Sequence, residues 1–421
     1  MREMKDSGVE WIGTIPVNHS LLRNKYLFEY VKGKIPNSTN TDQIGYPYIG
    51  ASDLDTYEEY NTFTTDENIP SCRYDDLLVL WDGARAGLCG THKVGKISST
   101  IVRLRAKASY HPSYLYWYYK GFESFMYQLV NGTTIPHMNR RYIEQIGWID
   151  WSLKEQEKIS TYLNAKCSQI DAIITREQAV IEKLKEYKSS VITEAVTKGL
   201  NPEAPMKDSG YEFIGKIPAT WRVLQLRYVG KCQNGISKSG EFFGTGFPFV
   251  SYSDVYKNYE LPVTTSGLIE SSESERKNYS VQKGDIFFTR TSETIEEVGV
   301  TAVCMKSIEK ATFAGFLIRV RPNKDIIIPL FSKYYFRNKH HRQFIVKEMN
   351  LVTRASLGQE LLKRLPVLLP PLHEQQEIST YLENKCVAID QSISKKQVVI
   401  DKLAEYKKSL IYEVVTGKTE V

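Results

Sequence analysis

Two stretches of this chain carry the same long apolar rhythm. In EQEKISTYLNAKCSQID, starting at Glu155, and EQQEISTYLENKCVAID, starting at Glu374, apolar residues return every three or four positions. The rhythm runs on through IEKLKEYKSSVITEAVT and IDKLAEYKKSLIYEVVT. That period puts apolar side chains on one stripe of an α-helix. Neither stretch contains Pro or Gly before its end, so each is expected to be one long helix, the first stopped by Gly199 and Pro202. Leu163, Ile170, Leu184 and Val191 fall on a seven-residue register, with Ile159, Ile173, Val180 and Tyr187 three or four positions away. Leu382, Ile389, Leu403 and Leu410 repeat it, with Ile378, Val399 and Tyr406. This is the seam of a coiled coil. Glu177 and Lys396 interrupt it at matching positions, which predicts a solvated break.

The two stretches agree at 25 of 44 positions over 155–198 and 374–417, an offset of 219. A second repeat precedes them. MKDSGVEWIGTIP (4–16) and MKDSGYEFIGKIP (206–218) share 10 of 13 positions at an offset of 202. The unit is therefore a short opening motif, a variable body and a long helix, present twice. The second body is longer by 17 residues, the difference of the two offsets.

Inside the bodies the rhythm shortens. GYPYIGASDL corresponds to GFPFVSYSDV, DLLVLWDGARAG to DIFFTRTSETIEEVG, and IVRLR to LIRVR. These read as short strands between polar or Gly-rich turns, followed by aromatic helices such as PSYLYWYYK and PLFSKYYFRNK. Each body is then a mixed α+β domain of about 150 residues, a normal domain size. Arg103, Arg105, Arg319 and Arg321 alternate with apolar residues on strands, which marks structural or strand-face arginines rather than base readers. Asp53 and Asp254 recur at equivalent positions, as a turn or cap would. The helices stayed alike while the bodies diverged. The helices must hold a fixed geometry or partner, and the bodies must do something that differs between them.

Composition narrows the class. The chain has 421 residues, too many for one ordinary domain. No apolar run has membrane-spanning length, and the first residues lack a signal-peptide core. Six scattered cysteines without a CxxC pair predict a reduced cytosolic protein with neither a disulfide frame nor a zinc site. Cys167 and Cys386 stand at equivalent helix positions, as packing residues would. The net charge of +6 is compatible with nucleic acid without demonstrating it. FFGTG (242–246) matches F-x-G-x-G of S-adenosylmethionine loops, but it follows a polar stretch, and its counterpart in the first body lacks the pattern. It reads as a turn before a strand. His373 has no second ligand at His-Glu-x-x-His spacing, and no P-loop occurs.

The doubled motifs SGVEWIGTIP and SGYEFIGKIP, PPLHEQQEISTYL with WSLKEQEKISTYL, and ITEAVTKGL with IYEVVTGK closely resemble the DNA-specificity subunit of Type I restriction–modification systems. The resemblance covers essentially the whole chain. It implies an α+β fold, with two pseudo-symmetric mixed α/β target-recognition domains joined by two long antiparallel coiled-coil helices. The domains would be 1–152 and 201–371, each followed by a helical spacer, 153–200 and 372–421. The resemblance implies a non-catalytic subunit that reads a bipartite, asymmetric DNA site and directs adenine methylation and restriction by partners. Those partners are double-stranded DNA, two methyltransferase subunits and restriction/translocase subunits, in the cytoplasm. S-adenosylmethionine, ATP and Mg would sit on the partners. One local departure is that IGWIDWSLKEQ lacks the proline-rich lead-in of LPVLLPPLHEQ.

A helix of about 40 residues is roughly 60 Å long, which bounds the half-site centres at roughly 17 base pairs. Phosphate contacts want Lys and Arg, and base reading wants exposed donors and acceptors on loops. The first body offers Lys34; Arg85, Thr91, His92, Lys93 and Lys96 in WDGARAGLCGTHKVGK; and Thr133, Thr134, Asn139, Arg140 and Arg141 in NGTTIPHMNRR. The second offers Lys238, Arg290, Thr291 and Ser292, and Thr353 with Arg354. Ordinary surface charge is the competing account of each. A different class of function also fits the pattern: a scaffold whose coiled coil assembles other proteins while the bodies bind protein. Retardation of one bipartite duplex, but not of scrambled ones, separates the two.

Overall fold

The MKDSG motif folds as a tight hairpin at both of its occurrences. Strands β1 (Met4–Asp6) and β2 (Thr14–Pro16) pair antiparallel, Met4 opposite Pro16. In the turn the Gly8 amide donates to Asp6 Oδ1 at 3.0 Å and the Val9 amide to Ser7 Oγ at 3.1 Å. Gly8 has φ 72° and Gly210 φ 79°, a left-handed backbone that favours glycine. Asp208 and Ser209 repeat the two bonds. The repeated D-S-G is therefore turn chemistry.

The computed structural model describes residues 2–55, 60–107, 110–128, 136–292, 294, 297–348 and 355–421, the side chains at 140, 142, 145, 347, 348 and 355 excepted. It divides into two compact units, Met1–Gln178 with Lys396–Val421, and Ala179–Lys395.

In the first unit the hairpin leads to β3 (Leu21–Arg23), α1 (Asn24–Leu27), β4 (Phe28–Lys32), β5 (Tyr46–Ile49), β6 (Phe63–Thr64), β7 (Ser71–Cys72), β8 (Leu77–Leu80), β9 (Cys89–Gly90), β10 (Gly95–Ile97) and β11 (Ile101–Ala106). Then come α2 (Pro112–Gln128), α3 (Arg140–Gln145) and β12 (Gly147–Ile149). One four-stranded sheet runs β4-β11-β8-β9 and a second β6-β5-β10-β7, while β12 pairs with β3. Gly33, just after β4, has no room for a side chain: a Cβ there would lie 2.1 Å from the Ser98 carbonyl oxygen. The aromatic face of α2 closes over Trp148, whose ring stacks 4.0 Å from that of Tyr118. Buried Asn24 donates to Tyr119 Oη at 2.7 Å and to the Ile143 carbonyl at 2.8 Å, which ties α1 to α2 and α3.

Helix α4 (Leu153–Lys198) follows, 46 residues without a break. The missing prolines at its start are replaced by a capping box. Ser152 Oγ accepts from the Glu155 amide at 3.3 Å, and Glu155 Oε2 accepts from the Ser152 amide at 2.9 Å.

The second unit repeats this order with β13 (Met206–Asp208), β14 (Lys216–Pro218), β15 (Arg222–Gln225), α5 (Leu226–Val229), β16 (Gly230–Asn234), β17 (Phe243–Val250), α6 (Tyr252–Tyr256), β18 (Gly267–Ile269), α7 (Glu273–Asn278), β19 (Ile286–Thr289), β20 (Thr291–Ser292), β21 (Thr301–Val303), β22 (Thr312–Phe313) and β23 (Leu317–Pro322). It closes with α8 (Pro329–Tyr335), α9 (Lys339–Glu348), β24 (Ala355–Ser356), α10 (Gln359–Lys363), β25 (Pro366–Leu369) and α11 (Leu372–Val415). Its main sheet, β16-β23-β19-β21, matches β4-β11-β8-β9, and β15 pairs with β25 as β3 does with β12. Gly235 repeats the tight spot of Gly33, 2.2 Å from the Ala314 carbonyl oxygen if a Cβ is added. The FGTG run lies inside β17, at an irregularity where Phe243 and Phe247 both face Ile269.

The helices pack antiparallel within each unit. In the first, Lys407 meets Asp171 at 2.6 Å and Lys396 meets Glu177 at 2.6 Å, so one helix descends as the other climbs. In the second, Lys188 meets Asp390 at 2.6 Å. Leu163, Ile170, Leu382, Ile389 and Leu410 are buried, as are Cys167 and Cys386. Leu184, Val191 and Leu403 are half-buried. Four expected seam residues, Ile173, Tyr187, Val399 and Tyr406, are exposed instead. The seam partners of Ile170 and Leu184 lie four positions on, at Ile174 and Lys188, and Ile181 and Ile192 are buried on the same stripe. Apolar Ile173 stands beside Ile174 and Val180 beside Ile181, so the pattern alone left the choice open. Nor is the mid-helix interruption a solvated break, because Glu177 and Lys396 neutralise each other in the packing interface.

Candidate nucleic-acid interface

The main sheet of each body has one polar end. In the first unit it is formed by the C-terminal ends of β4 and β8 and the start of β11. Lys32 closes β4 and reaches Asp82, just past β8, at 2.9 Å. His137 Nδ1 lies 3.0 Å from the same carboxylate, and 82 and 137 form a β-bridge. The Trp81 amide donates to the Thr100 carbonyl at 2.6 Å, which fixes the loop before β11. Lys34 is exposed at the same end, in the segment after Gly33.

The second unit builds the same end with other residues. Thr291 and Ser292 in β20 pair with β24, replacing the bridge of 82 to 137. The Arg290 amide donates to the Phe316 carbonyl at 2.8 Å, as Trp81 does to Thr100. Phe316 is 63 % exposed, and Gln359 donates to Asn234 Oδ1 at 2.9 Å. Ser292 Oγ bonds the Glu297 carboxylate. This end offers a guanidinium, hydroxyls, amides and an exposed ring, groups that read base edges or thymine methyls.

Several residues expected on the surface lie elsewhere. Thr91 is buried, its hydroxyl donating to the Asp76 carbonyl at 3.2 Å. Lys96 is buried with its ammonium on the Glu67 and Ile69 carbonyls at 2.8 and 2.9 Å. Lys93 is 4 % exposed, and burial pulls its pKa down. These basic residues satisfy carbonyls and aromatic faces inside the smaller sheet, which the run THKVGK could not reveal. His92 is half-buried against Tyr74 with ring centres 4.5 Å apart, and burial lowers its pKa. Arg85 is exposed and forms a two-pronged pair with Asp55 at 2.9 Å. Lys238 is held by Glu275 at 2.8 Å and the Glu270 carbonyl at 2.9 Å. Asn139 is exposed and caps α3, accepting from the Arg141 amide at 2.9 Å, and Arg141 is exposed beside it. Thr133, Thr134, Thr353, Arg354 and the Arg140 side chain lie outside the described residues. Lys32, Asp82, His137, Phe316 and Gln359 were missed, since only the sheet brings them to one end.

The recurrent polar residues are structural. Arg105 grips Asp76 and Arg321 grips Asp285, each at 2.6 Å with a nearly fully buried carboxylate. Asp53 Oδ2 accepts from the Gly50 amide at 2.7 Å, and Asp254 caps α6 from the equivalent place. The EQxxIS motif of the helices ties each to its own body. Gln156 donates to the Trp151 carbonyl at 2.8 Å and accepts from the His111 amide at 3.0 Å. Gln375 donates to the Pro370 carbonyl at 3.0 Å and accepts from the Ile328 amide at 2.9 Å. Among the described residues no group of three or more His, Cys, Asp or Glu could hold a metal ion, and no helix is long and apolar enough to cross a membrane.

The chain is similar to proteins of one kind. The family model for the Type I restriction modification DNA specificity domain matches residues 16–185 and again 218–397. The Type I restriction enzyme MjaVIII specificity subunit of Methanocaldococcus jannaschii is 26% identical over 422 residues, covering 97% of this chain and 94% of that protein. The EcoKI specificity subunit of Escherichia coli K12 is 28% identical over 236 residues, 55% of this chain and 48% of that one. A chain from a structure on complex assembly and conformational transition of the type I R-M system superposes with a TM-score of 0.72 at 15% identity, covering 96% of this chain and 99% of its own. The HsdS subunit of Thermoanaerobacter tengcongensis does so at 0.50 and 15%, covering 96% and 98%. With the match falling on both halves, the chain belongs to the Type I restriction–modification specificity subunits, non-catalytic proteins that recognise DNA sequence.

Proposed function

We propose that this chain reads a bipartite, asymmetric DNA site, one block per body, and directs adenine methylation and restriction by partner subunits. The observation that carries this is the polar sheet end, built alike in both units and furnished differently. Lys32, Asp82 and His137 stand in one, and Arg290, Phe316 and the Asn234–Gln359 pair in the other. Two similar frames with different chemistry suit two different short blocks. The helices, 46 and 44 residues long, set the number of unread base pairs between them. The partners are duplex DNA, two methyltransferase subunits and restriction/translocase subunits, in the cytoplasm. S-adenosylmethionine, ATP and Mg belong to those subunits.

Gel retardation tests this directly. The chain assembled with its methyltransferase subunits should shift duplexes that contain one bipartite sequence and leave scrambled duplexes free. Equal retardation of both would favour the scaffold alternative.

A further inference from the structure

Each unit presents an exposed tyrosine beneath a cation. The Lys25 ammonium lies 4.6 Å from the centre of the Tyr26 ring, which is 66 % exposed. The Arg227 guanidinium lies 5.2 Å from that of Tyr228, 58 % exposed. The pairs are 202 positions apart, the offset of the hairpin motif, and occupy equivalent places on α1 and α5. In the first unit Arg23, Lys25, Arg141 and Glu144 line one shallow cleft. In the second, the Glu360 carboxyl of α10 is held below its ordinary range, first by Lys363 and less by Arg227.

The fold does not need these exposed rings. Asn24 and Leu27, and Leu226 and Val229, carry the burial of the two short helices. An exposed cation–ring contact adds little to folding stability. The neighbours have diverged: Arg23 corresponds to Gln225, and Glu29 to Lys231. A cation and a tyrosine have been kept at both places. Whatever they touch must be the same for both units. The base blocks differ, but the sugar–phosphate chain does not. The position also fits. Asn139 and Arg141, at the start of α3, stand two and four residues after His137 of the sheet end, and Arg141 shares its cleft with Lys25. In the second unit Gln359, bonded to Asn234, opens α10, and Lys363 ends it.

We propose that Lys25–Tyr26 with Arg23 and Arg141, and Arg227–Tyr228, are phosphate contacts that flank the base-reading ends and grip the duplex without regard to sequence. This rests on the DNA-binding function above. The test uses the chain assembled with its methyltransferase subunits, carrying Lys25→Gln with Arg141→Gln, or Arg227→Gln. Affinity for the recognised duplex and for a scrambled one should fall by the same factor, roughly tenfold for the double variant near physiological salt. The plot of log affinity against log salt should flatten by about 0.9 per contact removed. Lys25→Arg should keep the original slope. An unchanged slope with unchanged affinity overturns the proposal. So does a loss confined to the recognised duplex, which would make these residues base readers. Failed assembly with the methyltransferase subunits would assign the patch to a protein interface and also overturns it. If the unsubstituted complex shows no salt-dependent DNA binding, the underlying function is what fails.

Discussion

At the same place in each unit, the body holds its helix with different chemistry. In the first unit Trp117 Nε1 donates to Asn164 Oδ1 at 2.7 Å. Glu383 stands 219 positions on and accepts from Tyr334 Oη at 2.8 Å and from Lys333 at 3.0 Å, and Lys333 also meets Glu260 at 2.6 Å. Burial pulls the Lys333 pKa down, but bonds to the two carboxylates hold it above its ordinary range. Burial pushes Glu383 up, but Tyr334 and Lys333 hold it below the ordinary carboxylate range. Beneath this difference the tethers are the same: Gln156 and Gln375 bond the bodies, and Ser160 and Ser379 bond back to those glutamines' carbonyls. Groups that tie a helix to body backbone have stayed. Groups that face diverged side chains have changed with them. The sheet ends follow the same division, with a shared frame and unlike side chains.

Substitutions in the shared part should therefore act alike in both units, and this is where the largest effect is expected. Leu163 and Leu382 are fully buried and sequence-equivalent. Leu163→Asp and Leu382→Asp should each cost about 4 kcal/mol or more, because each buries an unpaired charge. Leu184→Asp, at a half-buried position, should cost distinctly less. Denaturant unfolding of the three variants checks the order, and a cost at Leu184 equal to the others would break the equivalence.

The unshared part predicts a pH difference between the units. His341, in α9 of the second unit, is the one buried histidine among the described residues, and burial lowers its pKa to about 3. A histidine depressed when folded stabilises above its unfolded pKa of about 6.5, and that stability is lost as pH falls from there toward 3. The second unit should lose about 1–2 kcal/mol between pH 7 and pH 5 on this account. Hydrogen exchange resolved by unit measures it. His341→Gln should abolish the acid loss, and an equal loss in the first unit would remove the distinction.

The smallest effect concerns the mid-helix pair. Glu177→Lys sets two cations side by side where Lys396 now meets a carboxylate at 2.6 Å. About 0.5–1 kcal/mol should be lost, for a half-exposed pair. Adding Lys396→Glu should restore it. A double variant no better than the single one would mean that charge is not what these positions exchange.

The helices were legible in the sequence because a coiled-coil stripe is a local pattern. What remained hidden was decided by contacts distant along the chain. Ile173 and Ile174 are both apolar, and only the packed partner selects Ile174. Lys96 looks like a surface cation in THKVGK, yet the Glu67 and Ile69 carbonyls draw it inside. His137 and Asp82, 55 residues apart, meet because the chain after α2 returns to the end of β8. The repeated EQxxIS was visible at once. Its reason, a buried glutamine bonding the loop before α2 or α8, needed the fold.

The central claim is that each unit reads one block by itself. Exchanging residues 17–150 for the matching body of a relative, and mapping the methylated sequence in a host that carries the whole system, tests it most directly. One block of the motif should change, while the other block and the unread gap persist. A motif in which both blocks change, or in which neither does, would contradict the account.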